Sequence, residues 1–369
     1  MTLIDMRAHY ERLVCCPITR QNLRLVSETD LAALNDQIVS KHLTHFDSTP
    51  VEKPLTDAFI TADGTIVYPA EQNIAMLLPE FAIALSPDRF AGLDVPAYHP
   101  SVRDFYDQIG WQERDDGHFE DAHRYEDLRP VAAEYVSRTI LRVNDYLPER
   151  GDYLLDVASG PIQYPDYLTY SEHYAIRVCV DVSFSALLQA QQKLPASHGL
   201  YILGNIINLP FKDSAFDAIV SLHTVYHIDG DKQHAVFDEL HRVLASGGKA
   251  AVVYTWGNRT LVNLPHQVVS SVAKVFHTFF PFDKEETVVF GHPPFFYHPH
   301  KSRWFRQQRW DYPFEIVSWR SVSVQSMRML AHERLFGKHL LRLAFALEQR
   351  FPKVMATLGQ YPMFVITRV

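Results

Sequence analysis

From Asp152 to Trp256 the sequence alternates between short, continuously apolar runs and longer segments of helical periodicity. No other feature narrows the fold as far. "YLLDVA" is followed by a loop, then by "IRVCVDV" and the helical "SFSALLQAQQKL". "GLYILG" and a loop come next, then "AFDAIVSLH", the helical "DKQHAVFDELHRVL" and "KAAVVYTW". Continuous apolar strands separated by helices imply a parallel sheet covered on both faces. In such a sheet ligands gather at the carboxyl ends of the strands, near the switch in strand order. Asp156, Asp181 and Asn205 fall at or just beyond the ends of the first three strands. A carboxylate at Asp181 can accept hydrogen bonds from both hydroxyls of a ribose, or it can cap the helix that follows, a role Ser183 would fill equally well. The amide of Asn205 both donates and accepts, as an adenine edge requires.

The loop after the first of these strands, "LLDVASGPIQYPDYL", begins with small residues and then departs from a dinucleotide-binding turn. Ala158, Ser159 and Gly160 let a ligand approach the backbone, but the full G-x-G-x-x-G that accommodates a pyrophosphate is missing, which disfavours a dehydrogenase. Pro161 and Pro165 lack an N–H, so the segment cannot open as an ordinary helix N-terminus. Tyr164 either turns into a cavity or packs as a half-buried ring.

Upstream, "SETDLAALNDQIVS" has a cap at Ser27 or Thr29 and apolar residues Leu31, Leu34 and Ile38 at helical spacing. Asp63-Gly64 separates two extended runs, a hairpin signal. Prolines 79, 87, 96 and 100 punctuate a boundary, and a charged, aromatic stretch leads to an amphipathic helix at 131–147. The alternation breaks between 257 and 310, which is rich in Pro, His and aromatics. A strand "FEIVSWRSV", a long helix around 326–350 and a strand "MFVITRV" follow. The net charge is −8 and argues against wholesale nucleic-acid binding, yet the segment from Phe290 to Val369 has twelve Lys/Arg against four Asp/Glu. Cys15, Cys16 and Cys179 form no CxxC pair, so neither disulfides nor a cysteine zinc site is expected. No apolar run approaches the ~20 residues of a membrane span, and the first residues lack an apolar signal core, so a cytoplasmic protein without a membrane partner is expected.

Residues 131–255 resemble a class I S-adenosylmethionine-dependent methyltransferase. The resemblance rests on "LLDVASGP", "VCVDVSFSALLQAQQKL", "GNIINLPFKDSAFDAIVSLHTVYHI" and "ELHRVLASGGKAAVV". It implies an α/β fold, a Rossmann-like sheet with helices on both faces, and S-adenosyl-L-methionine as cofactor. It also implies that Asp156 and the backbone at Ala158, Ser159, Gly160 and Pro161 border the methionine part. Asp181 would hold the ribose, Val182 would flank the adenine, and Asn205 and Ile206 would meet its amino edge. Ser221, Leu222 and His223 would line the floor near the sulfonium. Residues 13–85 resemble the small zinc-binding activator subunit of tRNA and protein methyltransferases, through "LVCCPITRQNL" and "DGTIVYPAEQNIAMLLPEFAIAL". Thr19 stands where the CxxC partner would be, and a structural zinc needs four ligands, so no metal is expected.

These readings divide the chain into a small N-terminal α+β domain (1–95), a bridging segment (96–130) and a methyltransferase domain (131–369) with a lid-like insertion at 257–310. His223, Tyr226 and His227 in "SLHTVYHID" would share one face if helical and are the candidates for catalysis. His223 is the preferred general base, and His227 reads better as packing. Tyr164, Tyr297, His298 and His300 are candidates for lining the substrate site, with Arg303, Arg306 and Arg309 as an anion clamp. The expected function is methylation of an O, N or S atom of a small molecule, with a homodimer as the candidate assembly. The alternatives are a tRNA or protein substrate, and a non-catalytic adaptor that keeps the fold.

Overall fold

The computed structural model describes residues 2–41, 43–85, 100–257, 260–264 and 296–369. Five strands come from the first quarter of the chain: β1 (Leu23–Leu25), β2 (Asp57–Thr61), β3 (Ile66–Glu71), β4 (Ile74–Met76) and β5 (Ile83–Ala84). Seven more follow: β6 (Gly151–Val157), β7 (Tyr174–Asp181), β8 (Gly199–Leu203), β9 (Phe216–Leu222), β10 (Leu244–Val253), β11 (Phe314–Arg320) and β12 (Tyr361–Thr367). All join one sheet in the order β1-β2-β3-β4-β8-β7-β6-β9-β10-β12-β11, with β5 beside β3. Strands β6 to β10 are parallel, and β12 runs antiparallel to both β10 and β11. The order reverses between β6 and β9, which opens the crevice where such sheets bind ligands.

The apolar runs are continuous because both faces of these strands are covered. Tyr153, Leu155 and Val157 of β6 join one apolar cluster with Ile176, Val178 and Val180 of β7. Leu154, Cys179, Ala218 and Val220 join the other. The helix Pro130–Leu141 supplies Val131, Ala132, Tyr135, Val136 and Ile140 to that second cluster, and Pro130 occupies its first turn, where a missing N–H costs nothing. The long helix expected around 326–350 is broken into Val324–Leu330 and Gly337–Arg350. Phe336 adopts φ +57° between them, and a Cβ at Gly337 would lie 2.6 Å from the His332 nitrogen, so the chain folds back too tightly for one continuous helix.

The N-terminal strands extend the main sheet. The Asp63-Gly64 hairpin forms, pairing Phe59 with Tyr68, and the short β4 then lies parallel to β8, with Ala75 opposite Ile202. Other contacts grip the loop after β8. The Cys15 N–H donates to the Pro210 carbonyl (2.9 Å), the Lys212 N–H to the Leu13 carbonyl (2.9 Å), and Arg20 reaches the Leu209 carbonyl (2.7 Å) and Glu239 (3.1 Å). Cys16 accepts from the Thr19 N–H at 3.3 Å and meets the Tyr68 hydroxyl at 3.2 Å.

Candidate functional site

The small-residue loop leaves β6 in an unusual conformation. Ala158, Gly160 and Ile162 all have φ between +53° and +55°. For a residue with a side chain such a backbone costs about 1–3 kcal/mol and persists only where its surroundings hold it. Asp181, at the end of β7, is one holder. Its two carboxylate oxygens accept from the Gly160 N–H and the Ser183 N–H, each at 2.9 Å. The Ser183 hydroxyl takes the capping role, accepting from the Ala186 N–H at 3.1 Å. Each Asp181 oxygen keeps a lone pair for a further donor. Burial pushes this carboxyl up to about 6, against the two hydrogen bonds, with Asp107 and Asp156 adding repulsion.

Asp156 sits differently. Its carboxylate is engaged by the Arg177 guanidinium, whose other nitrogen donates to the Tyr167 carbonyl at 2.6 Å. Both residues are buried, so this ion pair braces the loop from beneath. Breaking such a pair by removing one partner costs about 3–5 kcal/mol. Asn205 turns its side-chain oxygen to the Ile207 N–H (3.0 Å), and Ile206 packs into the core. Val182 and Leu222 are half-buried at the edge of the second cluster. Ser221 lies opposite Val157, with its hydroxyl buried and without a hydrogen-bond partner.

The roof over this loop comes from the bridging segment 96–130. Tyr106 stacks on Trp111 with ring centroids 4.7 Å apart. The Trp111 indole lies so close to Gly160 that a Cβ there would fall 2.7 Å from it. Asp107 accepts from the Ser183 and Ser185 hydroxyls (2.5 and 3.1 Å), and Asp121 accepts from the Gln163 amide at 3.2 Å. Among the described residues the Trp111 indole N–H and the Gln163 side-chain oxygen are buried without partners, like the Ser221 hydroxyl. Each orphaned group costs about 1–3 kcal/mol. Three around one loop fit a polar ligand that would satisfy them.

On the β9 side, His223 has φ +60° and stands before the single turn Val225–His227, so 223, 226 and 227 do not share a helix face. Its ring centroid is 4.7 Å from Trp319, 5.5 Å from Tyr361 and 6.4 Å from Tyr226. Burial, with Arg320 and His227 nearby, depresses its pKa to about 3, so the ring is neutral at physiological pH. Tyr226 is buried, and burial raises its hydroxyl pKa. His227 donates from Nδ1 to the Phe296 carbonyl at 2.8 Å and is held near 4 by burial. Its Nδ1 is thus committed to the segment that begins at Phe296.

Behind His223 lies a polar wall. One Arg320 nitrogen contacts both Glu126 carboxylate oxygens at 2.8 Å, and the Arg320 Nε has no partner among the described residues. Burial pushes the Asp121 carboxyl up to about 6. Tyr164 sets its ring edge-on to Tyr167 at 5.2 Å, and its hydroxyl pKa is raised by burial and by Glu126, Tyr167 and Asp121. Tyr164 therefore belongs to this wall.

The outer segment departs from expectation. Tyr297 lies 5.5 Å from Tyr226, with its hydroxyl pushed up to about 12 by burial. His298 is exposed, with its backbone N–H on the Tyr226 carbonyl. His300 donates to the Gly230 carbonyl at 2.9 Å and stacks on Trp304 at 4.0 Å. Arg303, Arg306 and Arg309 are exposed. His298 and His300 thus fasten this segment to the Asp229-Gly230 turn, and the arginines face solvent. Residues 258–259 and 265–295 of the expected lid lie outside the described residues. What the sequence reading missed is "FYDQIGWQERDDGHFEDAHRYED". The available signal was its density of aromatics and carboxylates.

Residues 155–252 match the family described as a methyltransferase domain. A probable tRNA methyltransferase 9B from Bos taurus is 26% identical over 137 residues, 36% of this chain and 28% of that protein. A putative methyltransferase from Encephalitozoon cuniculi (strain GB-M1) is 33% identical over 58 residues, 15% of this chain and 27% of that one. The chain therefore spans just over a quarter of these curated relatives. Among solved structures, geranyl diphosphate C-methyltransferase from Streptomyces coelicolor A3(2) superposes with a TM-score of 0.45 at 15% identity, covering 74% of this chain and 99% of that one.

Proposed function

We propose that this chain, which carries a methyltransferase domain over residues 155–252, moves a methyl group from S-adenosylmethionine to an O, N or S atom of a small organic substrate. The observation that carries the reading is the Asp181 carboxylate, tied to Gly160 and Ser183 beneath the Trp111 roof beside the reversal in strand order. The cofactor supplies an already activated methyl group, so alignment of the nucleophile provides most of the rate. Asp181 takes the ribose hydroxyls on its remaining lone pairs. Ala158 to Pro161 border the methionine part, Val182 flanks the adenine, and Asn205 and Ile206 meet its edge. Ser221 and Leu222 form the floor, with the Ser221 hydroxyl gaining the partner it lacks.

His223 orients the nucleophile by accepting its hydrogen bond. A ring whose conjugate acid lies near 3 removes a proton poorly, so the general-base role expected from sequence gives way to positioning. Tyr164, Tyr226 and Tyr297 wall the substrate. The N-terminal unit serves as an activator in cis, holding the loop that begins at Asn205 through Cys15, Arg20 and Leu13.

A second reading, methylation of tRNA, draws on the names of the curated relatives and on the exposed Arg303, Arg306 and Arg309. Calorimetry with S-adenosylmethionine, followed by incubation with methyl-labelled cofactor and fractionated cell extract, tests both. Label in the small-molecule fraction supports the first reading, and label in the RNA fraction supports the second. Absence of cofactor binding sinks both and leaves an adaptor.

A further inference from the structure

The helix Gly337–Arg350 is apolar on two sides. Leu341 and Phe345 point inward, with Glu348 held by Arg142 (3.0 Å) and Tyr135 (2.5 Å) on the same buried side. Leu340, Leu343 and Leu347 form a second stripe that faces outward, flanked by Phe336 and continued by Phe351 and Val354. Leu343 is 57% exposed and Phe336 75%. Spacings of three and four residues place the leucines on one side of a helix about 21 Å long. Contiguous exposed apolar surface of this kind marks an interaction site. The exposed charges within this stretch of chain have one sign, and the neighbouring acids, Glu134 and Glu315, are each paired to one of them. Residues 337–358 contain Lys338, Arg342, Arg350 and Lys353, and their single acidic residue is the buried Glu348. Arg342 and Lys353 are ion-paired to Glu134 and Glu315, while Lys338 and Arg350 form no salt bridge among the described residues.

We propose that this stripe docks on an anionic lipid bilayer. An apolar helix face rimmed by cations is the arrangement that seats a helix in the plane of a membrane surface, the leucines entering the acyl boundary and the basic side chains meeting headgroup phosphates and carboxylates. A second copy of the chain is a poorer occupant, because apposing the same stripe brings two cationic rims together. RNA is poorer too, since the centre of the stripe, Leu340, Leu343 and Leu347, offers it no stacking face, and the exposed rings of Phe336 and Phe351 stand only at its two ends. The inference is independent of the methyl-transfer reading.

Co-sedimentation of the full chain with vesicles of phosphatidylcholine alone, and of phosphatidylcholine and phosphatidylserine at about 2:1, tests it. Binding is expected on the mixed vesicles, at least about tenfold weaker on neutral ones, and weakened by salt. Leu343→Glu with Leu347→Glu should lower partitioning at least about tenfold. Lys338→Glu with Arg350→Glu should lower it by a similar factor. Thermal melts and cofactor calorimetry without lipid should match wild type, because all four side chains are exposed. Absence of binding to mixed vesicles, binding insensitive to the leucine pair, or a solution dimer that the leucine pair dissociates would each overturn the proposal.

Discussion

Two segments flank the carboxyl ends of the strands, and they use similar residues to opposite ends. Tyr106–Glu126 and Phe296–Trp310 are both rich in aromatics and ionisable groups. In the first, Trp111 presses on Gly160, Asp107 holds Ser183, and Asp121 meets Gln163, so its side chains address the loop and helix start that frame the crevice. In the second, His300 is committed to Gly230 and Trp304, and the arginines face solvent. A cluster of histidines and arginines is therefore no guide to a pocket until its hydrogen bonds are traced. What separates the segments is where the unsatisfied groups lie: the Trp111 indole N–H and the Gln163 oxygen stand at the roof, whereas His300 is satisfied.

The comparison breaks most readily at Asp181. Asp181→Ala should weaken cofactor binding about 100-fold, or about 2.7 kcal/mol, since it removes a charged acceptor and frees the loop at Gly160. Wild-type affinity by calorimetry would refute the ribose assignment. Gly160→Val tests the roof itself. Its side chain would collide with the indole of Trp111 and would hold a positive φ, so affinity should drop about thirtyfold. Adding Trp111→Ala should recover none of the φ strain but should relieve the collision. A neutral Gly160→Val would mean that the roof does not close on the loop.

A smaller effect is expected from pH. Ribose hydroxyls favour the ionised Asp181, whose pKa lies near 6, so affinity should be about tenfold weaker at pH 5 than at pH 7.5. Stability of the ligand-free protein should move the other way. For Asp181 and Asp121 the folded pKa is raised above 3.8, so their contribution is full below that value and is lost as pH rises through about 6. Calorimetric titrations and thermal melts across pH 5–7.5 check both signs. The least effect is expected at His300→Ala, which should change turnover less than about twofold while costing about 1 kcal/mol of stability from a lost hydrogen bond and ring contact. A large loss of turnover would return the outer segment to the site.

Much of the sheet could be read in advance because its strands are buried on both faces and so appear as unbroken apolar runs. The loop at Ala158 to Gly160 and the carboxylate at Asp181 were legible for the same reason, since each stands where such a run stops. The ion pair of Asp156 was hidden because its partner, Arg177, lies 21 positions away, inside an otherwise apolar run. The surroundings of His223 were hidden because nothing in "SLHTVYHID" reveals the neighbouring Trp319 and Arg320, which arrive from β11. The roof went unseen because a short, irregular segment has no periodicity to betray its partner. The joining of β4 to β8 was equally hidden, since a three-residue strand specifies almost nothing by pattern.

That three-residue junction also sets how far apart in the chain the sheet's partners lie. Strands β1, β2, β3 and β5 pair with one another, and β4 presents the edge that β8 meets. Its brevity limits what else can pair there. Strand β8, buried along its whole length and apolar in every residue after Gly199, begins more than 120 residues beyond β4. Closing so long a loop costs little more than closing a shorter one, and the N-terminal strands thereby cover what would otherwise be a naked hydrophobic border of the sheet.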